Sequence, residues 1–224
     1  MLIGKRFNGP PDSGNGGYTA GLVAGHVHTV HPPATAVEVT LRAPPPLGTE
    51  LTVSPGPDGV AVRHGDLLVA TARPAALTGL TEPVPAVTFQ QAERISPNYP
   101  GFVSHPFPTC YVCGPAREDG LRLFPGRLPD GRTAAPFVVP DDVSTATVWA
   151  CLDCPGGWTV GVEARPYVLG RITARVDKLP EPGNRCVVTG VLLEEEGRKA
   201  HVATTLWYGD EPLAAARATW IALR

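Results

Sequence analysis

The sequence predicts an α+β fold built from two tandem copies of one unit, a helix laid against a curved antiparallel sheet. Two internal echoes predict it. Thr35 to Val53 reads TAVEVTLRAPPPLGTELTV, and Gly170 to Val188 reads GRITARVDKLPEPGNRCVV. Val37, Val39, Leu41, Gly48, Leu51 and Val53 fall opposite Ile172, Ala174, Val176, Gly183, Cys186 and Val188 at one constant offset. Farther on, LLVATARPAAL (Leu67 to Leu77) is echoed by PLAAARATWIAL (Pro212 to Leu223). Each echo follows a small-residue or apolar stretch of helical character, so each copy reads as helix, then meander.

The first element is a helix from about Gly17 to Val27. Asn15 is placed to cap it. Glycine disfavours helices, yet Gly17, Gly21 and Gly25 recur at every fourth position. Such a stripe suits a helix lying very close to a sheet. Ala34 to Arg42 alternates apolar and polar residues, which makes a half-buried strand. Short strands follow at Leu51 to Val53, Val60 to His64 and Leu67 to Arg73, joined by Pro/Gly/Asp turns. Leu77 to Pro108 is proline-rich and weakly patterned, and His105 to Pro115 is turn-rich. Strands are expected at Leu121 to Phe124 and Ala134 to Val139. Ser144 caps a helix from Thr145 to about Asp153, which Pro155-Gly156-Gly157 should stop. Four strands complete the chain near Val168–Asp177, Cys186–Glu194, Lys199–Trp207 and Leu213–Leu223. The expected units are 1–77, a connection over 78–117, and 118–224.

At 224 residues the chain is long enough to bury a real core. A formal charge of −2 gives no field to draw nucleic acid or an anionic membrane. Met1 to Lys5 is too short for a signal sequence, and no apolar run approaches the roughly 20 residues of a membrane helix. A cytoplasmic location follows as the expectation, and five cysteines there argue against a disulfide framework. Cys110-x-x-Cys113 and Cys151-x-x-Cys154 together would suffice for a tetrahedral thiolate site. The second pair lies on a predicted helix, however, and packed thiols are the favoured reading. Neither a metal nor a cofactor is expected. No G-x-S-x-G is present, so a serine hydrolase is not supported. GNGG is not a dinucleotide fingerprint.

Asn15 to Gly25 (NGGYTAGLVAG), Val148 to Cys154 (VWACLDC) and the two sheet halves resemble hotdog-fold thioesterases, in particular the double-hotdog acyl-CoA thioesterases. The resemblance implies hydrolysis of an acyl thioester carried by CoA or by an acyl-carrier protein. It places the carbonyl-polarising helix start on Gly16 and Gly17 and the water-activating base on Asp153. In those enzymes the aspartate works with a Gln on the last strand and a hydroxyl on an earlier one, and Thr219 and Gly170 stand there. Single-hotdog relatives carry His before the glycine pair and an acid farther along the helix, where this chain has Asn15 and Ala24.

Physical chemistry supports the same assignments. A helix N-terminus offers unpaired N–H groups and partial positive charge, and glycine lets a carbonyl approach them. Asn15 can hydrogen-bond a carbonyl or water but cannot act as a base. A carboxylate amid Trp149, Leu152 and Trp158 is partly desolvated, which raises its pKa towards a useful value. The plainer alternative for Asp153 is a cap on its own local turn. Tyr18, Leu22, Trp149 and Trp158 are the expected lining of an acyl tunnel. Glu163 is a reserve base. His26 reads as a structural histidine, and His28 and His31 as caps on the first helix. The alternatives are a hotdog hydratase or dehydratase and a non-catalytic acyl-binding protein. The assembly expected is a monomer or homodimer.

Overall fold

The computed structural model describes residues 1–224 except 31–35, 57, 77, 79 and 81. His31, the first two residues of the predicted Ala34 strand and the Leu77 boundary therefore lie outside the described residues. The described strands are β1 (Ala36–Leu41), β2 (Thr52–Gly56), β3 (Gly59–His64), β4 (Leu67–Ala75), β5 (Gly126–Arg127), β6 (Thr133–Val138), β7 (Tyr167–Val176), β8 (Arg185–Glu196), β9 (Lys199–Tyr208) and β10 (Glu211–Ala222). They form one sheet in the order β2-β3-β4-β1-β7-β10-β9-β8-β6-β5. Outward from the β1–β7 seam, the order is β1-β4-β3-β2 in one direction and β7-β10-β9-β8 in the other. The sequence echo is thus a spatial one. At the seam Val37 pairs with Ala174 and Val39 with Ile172, and all four are buried.

Two helices lie on the inner face, α1 (Gly16–Val30) and α3 (Thr145–Gly157); a shorter α2 (Phe89–Ile95) lies between them in sequence. α1 and α3 run antiparallel in close contact. A Cβ on Gly17 would fall 2.5 Å from Asp153 Cβ and 2.6 Å from the Trp149 carbonyl, and one on Gly21 would fall 2.6 Å from Ala146 Cα. The glycine stripe therefore serves helix-on-helix packing, not the expected helix-on-sheet packing. Gly25 has open space around it and belongs to neither. Asn15 caps α1, its Oδ1 accepting from Tyr18 N at 2.8 Å. Ser144 and Thr147 form a capping box on α3.

α3 continues through Pro155 to Gly157, beyond the expected stop. Tertiary contacts override the proline. Thr204 Oγ1 donates to the Leu152 carbonyl and Thr133 Oγ1 to the Pro155 carbonyl, each at 2.7 Å. The second bond satisfies a carbonyl that the helix end leaves open, and the first ties the preceding turn to β9. A Cβ on Gly156 would fall 2.8 Å from Val202, and one on Gly157 2.5 Å from the Trp220 ring. The last turn therefore sits tight against β9 and β10.

The connection is more ordered than its composition suggested. α2 is closed by a Thr88–Gln91 capping box and packs Ala92 with Ala134, Val187 and Trp207. Leu121 to Phe124 is not a ladder strand. Leu121 N and Leu123 N instead donate to the Tyr111 and Val112 carbonyls at 2.7 and 2.9 Å. These bonds fasten the segment to the Cys110–Cys113 turn. Among the described residues no helix is long and apolar enough to cross a membrane.

Candidate active site

Antiparallel packing of the helices brings the start of α1 against the last turns of α3. Asp153 lies at that junction, 2% exposed. Its Oδ2 accepts from Gly17 N at 2.8 Å and from Asn15 Nδ2 at 3.4 Å. Its Oδ1 is buried and has no hydrogen-bond partner among the described residues. Burial pushes the carboxyl up from the ordinary carboxylate range to about 7; the Gly17 N–H pulls against it, the Cys110 sulphur adds to the push, and Asn15 adds to the pull. Asp153 is therefore poised between its two protonation states near neutrality. It does not cap its own turn. It reaches across to the other helix.

Asp153, Asn15 and Gly16 border a cavity of about 580 Å³. Its walls include Trp158, Val162, Tyr167, Leu169 and Trp220, so it is polar at the helix junction and apolar beyond. A bulge in the sheet helps to shape it. Thr219 pairs with Arg171 but Trp220 pairs with Leu169, leaving Gly170 without a partner across β10. The shift directs both Leu169 and Trp220 to the cavity.

The predicted site residues divide sharply. Asn15, Gly16, Asp153 and Trp158 border the cavity, and Gly17 stands behind them, spending its N–H on Asp153. Gly16 borders the cavity, and its amide meets no acceptor among the described residues. The other four expected residues do not border this cavity. Tyr18 stacks on Phe7 at 3.9 Å between ring centroids. Leu22 packs on the core. Trp149 fills the helix–helix contact against Gly21. Thr219 hydrogen-bonds His201 Nδ1 at 3.2 Å and shares its face of β10 with exposed Arg217, opposite the face of Trp220. Glu163 is paired with Arg127, and His26 is half-buried on α1.

The second helix junction has no equivalent acid. With the starts of α1 (Gly16) and α3 (Thr145) aligned, Asp153 falls opposite Ala24 and Asn15 opposite Ser144. One chain therefore carries one complete junction of this kind.

Beside Asp153 lies a cluster that the sequence pattern grouped differently. Cys110, Cys113 and Cys154 are buried, with their sulphurs all within 4.8 Å of one another. Cys151 is not among them; it is buried on α3 and senses Cys186 instead. The i, i+3 spacing on a helix does not fix which sulphur faces inward across a closely packed interface. His105 Nε2 lies 3.4 Å from Cys113 Sγ, and Asn15 Nδ2 lies 3.8 Å from the Cys110 and Cys154 sulphurs. Hydrogen bonds from the Cys113 and Cys154 thiols hold Cys110 well below the usual thiol range. His105 carried no signal in the sequence, because the contact that recruits it comes from a connection without periodicity.

Several solved structures share this architecture. A putative thioesterase from Novosphingobium aromaticivorans aligns over 100% of this chain and 94% of its own, at 17% identity and a TM-score of 0.65. A tesB protein from Mycobacterium avium subs paratuberculosis aligns over 96% of this chain and 89% of its own, at 11% identity and a TM-score of 0.61. A conserved protein of unknown function with a hot dog fold from Alicyclobacillus acidocaldarius aligns over 95% and 88%, at 15% identity and a TM-score of 0.60. No family model matches the chain, and no curated protein matches it. At these identities the likeness is one of fold, and the chain has the hotdog fold, two helix-and-sheet units sharing a single sheet.

Proposed function

We propose that the protein hydrolyses an acyl thioester, with Asp153 as the base that activates water. One observation carries the reading: a buried carboxylate oxygen without a partner, at a helix start that borders an apolar cavity. Leaving such an oxygen unpaired costs about 1–3 kcal/mol or more. A water bridging it to a substrate removes that cost. The neighbours named thioesterases share the fold and so agree with the reading.

The geometry suits the chemistry in the following way. The thioester carbonyl accepts from Gly16 N–H at the positive end of α1. A water beside Asp153 gives its proton to Oδ1 as its oxygen bonds to the carbonyl carbon. The resulting oxyanion is held by the same N–H. Collapse re-forms the carbonyl and breaks the C–S bond, and the departing thiolate takes the proton from Asp153. The acyl group lies in the apolar part of the cavity, and the fatty acid and free thiol are released. Gly17 and Asn15 position the carboxylate through Oδ2. Arg42, exposed on the cavity rim, is a cation suited to a carrier phosphate. Both helices come from one chain, so a monomer would already contain the site.

A second reading is a non-catalytic acyl-binding protein. It draws on Thr219 facing away from the cavity and on Ala24 where a second acid would stand. Incubation with a panel of acyl-CoA and acyl-carrier-protein thioesters, with detection of free thiol, separates the readings. Release of thiol that is lost in Asp153→Asn supports hydrolysis. Saturable binding without release across the panel supports the binding protein, and hydration of an enoyl thioester supports a hydratase.

A further inference from the structure

We infer that Cys110, Cys113 and Cys154 bind a soft divalent metal ion of the zinc class, with its fourth coordination position open to the cavity. Zinc bonded to sulphur at ~2.3 Å sets tetrahedral sulphurs about 3.8 Å apart. The three sulphurs already lie within 4.8 Å of one another, so a small closure completes the set. An all-sulphur donor set suits thiophilic ions and disfavours magnesium and calcium, which take oxygen.

Packing alone does not account for how these sulphurs are held. The Cys110–Cys113 turn is closed by Gly114 N donating to the Cys110 carbonyl at 2.9 Å. A Cβ on Gly114 would fall 2.4 Å from Cys110 N and 2.5 Å from the Pro108 carbonyl, so the turn requires glycine there. Tyr99 Oη donates to the Cys113 carbonyl at 3.1 Å and braces the same turn. Donors then converge on the sulphurs. Asn15 Nδ2 reaches both Cys110 and Cys154 at 3.8 Å. His105 Nδ1 accepts from Phe107 N at 3.0 Å. The neutral ring therefore carries its proton on Nε2, which points at Cys113 Sγ. That makes His105 an outer donor to a thiolate and not a ligand. N–H groups aimed at sulphur are what metal-bound thiolates need.

Among the described residues no fourth His, Cys, Asp or Glu joins the cluster, and all three cysteines border the cavity. Three protein ligands and one open position make an exchangeable site. A thiol, as soft as the three ligands, is the class that fits it. On metal binding the protons still held by the thiols pass to solvent. The ion would tie the connection to the last turns of α3, next to Asp153. The inference is independent of the hydrolase reading, since metal content is measured without turnover.

The test uses the full chain purified without chelator or reductant. About one zinc ion per chain is expected by metal analysis. After stripping, anaerobic titration with Co²⁺ should give sulphur-to-cobalt charge-transfer and tetrahedral visible bands that saturate near one equivalent. Cys154→Ser should lose these bands, whereas Cys151→Ser and Cys186→Ser should keep them. A small thiol such as 2-mercaptoethanol should shift the visible bands. If Cys154→Ser does not fold, the wild-type titration decides by itself. Folded wild-type protein that takes up no cobalt, or a disulfide among the three cysteines, overturns the site. Visible bands unmoved by the thiol overturn the open position.

Discussion

Gly17 and Gly25 lie eight residues apart on one helix, and the same substitution should act on them with opposite sign. A methyl group on Gly17 would fall 2.5 Å from Asp153 Cβ, 2.6 Å from the Trp149 carbonyl and 3.0 Å from Ala150 Cα. Two of these are backbone atoms, which cannot rotate away. Helix propensity favours Gly→Ala by about 1 kcal/mol. Overpacking opposes it by about 1–3 kcal/mol. Displacing α3 also lengthens the 2.8 Å bond from Gly17 N to Asp153, and a hydrogen bond to a charged group is worth about 1.5–3 kcal/mol. Gly17→Ala should therefore destabilise the fold by about 1.5–5 kcal/mol. Gly25 is exposed with nothing within 4 Å of such a methyl, so Gly25→Ala should stabilise by up to about 1 kcal/mol. Urea unfolding of both variants beside the wild type measures the difference. Equal effects of the same sign would refute the close helix pair on which the site depends.

Asp153 also predicts opposite pH trends for turnover and stability. The ionised base is needed, so kcat/KM should fall about tenfold per pH unit below about 7 and level off above it. The native state holds the proton more tightly than the unfolded chain. Its share of the stability, read in chelator as the difference between wild type and Asp153→Asn, should therefore fall as pH rises from the ordinary carboxylate range to about 7. The full loss is on the order of 4 kcal/mol, and it is flat above. Asp153→Asn should abolish turnover and flatten the stability profile; a variant keeping both would sink the assignment. Thr219→Ala should leave kcat/KM unchanged, because its side chain lies on the far face of β10 with His201; about a tenfold loss would contradict that placement. Trp158→Phe should widen the cavity and move the preferred acyl chain to greater length, and an unaltered chain-length profile of kcat/KM would show that the acyl group lies elsewhere.

The seam of the fold was legible in the sequence because it is written as alternation. Val37 and Val39 face Ala174 and Ile172 across β1 and β7, and period-two burial cannot be hidden in a strand. The Asn15 cap and the Ser144 cap were legible for a similar reason: each is a local side-chain-to-backbone bond. Asp153 was reached by resemblance, and its burial followed from its apolar neighbours. Contacts between distant segments were not legible. Gly17, Gly21 and Gly25 look alike in sequence, yet only the first two touch α3. Trp149 and Trp158 look equally suited to a tunnel, but the crossing of the helices turns one into the helix interface and the other to the cavity. Thr219 was within reach of a better reading. It shares parity with Arg217, a charged residue that marks the solvent face of β10, and Trp220 has the opposite parity. Pro155 reads as a stop in sequence because the hydroxyl that satisfies its carbonyl, that of Thr133, comes from a distant strand.

A co-crystal structure with a non-hydrolysable ketone analogue of an acyl-CoA, which keeps the carbonyl oxygen, decides where the thioester sits. The carbonyl-equivalent oxygen should lie within hydrogen-bonding reach of Gly16 N–H, with a water on the Asp153 carboxylate and the acyl chain between Trp158 and Trp220. An analogue bound at the Ser144 junction, or one whose carbonyl group lies away from Asp153, would contradict this placement.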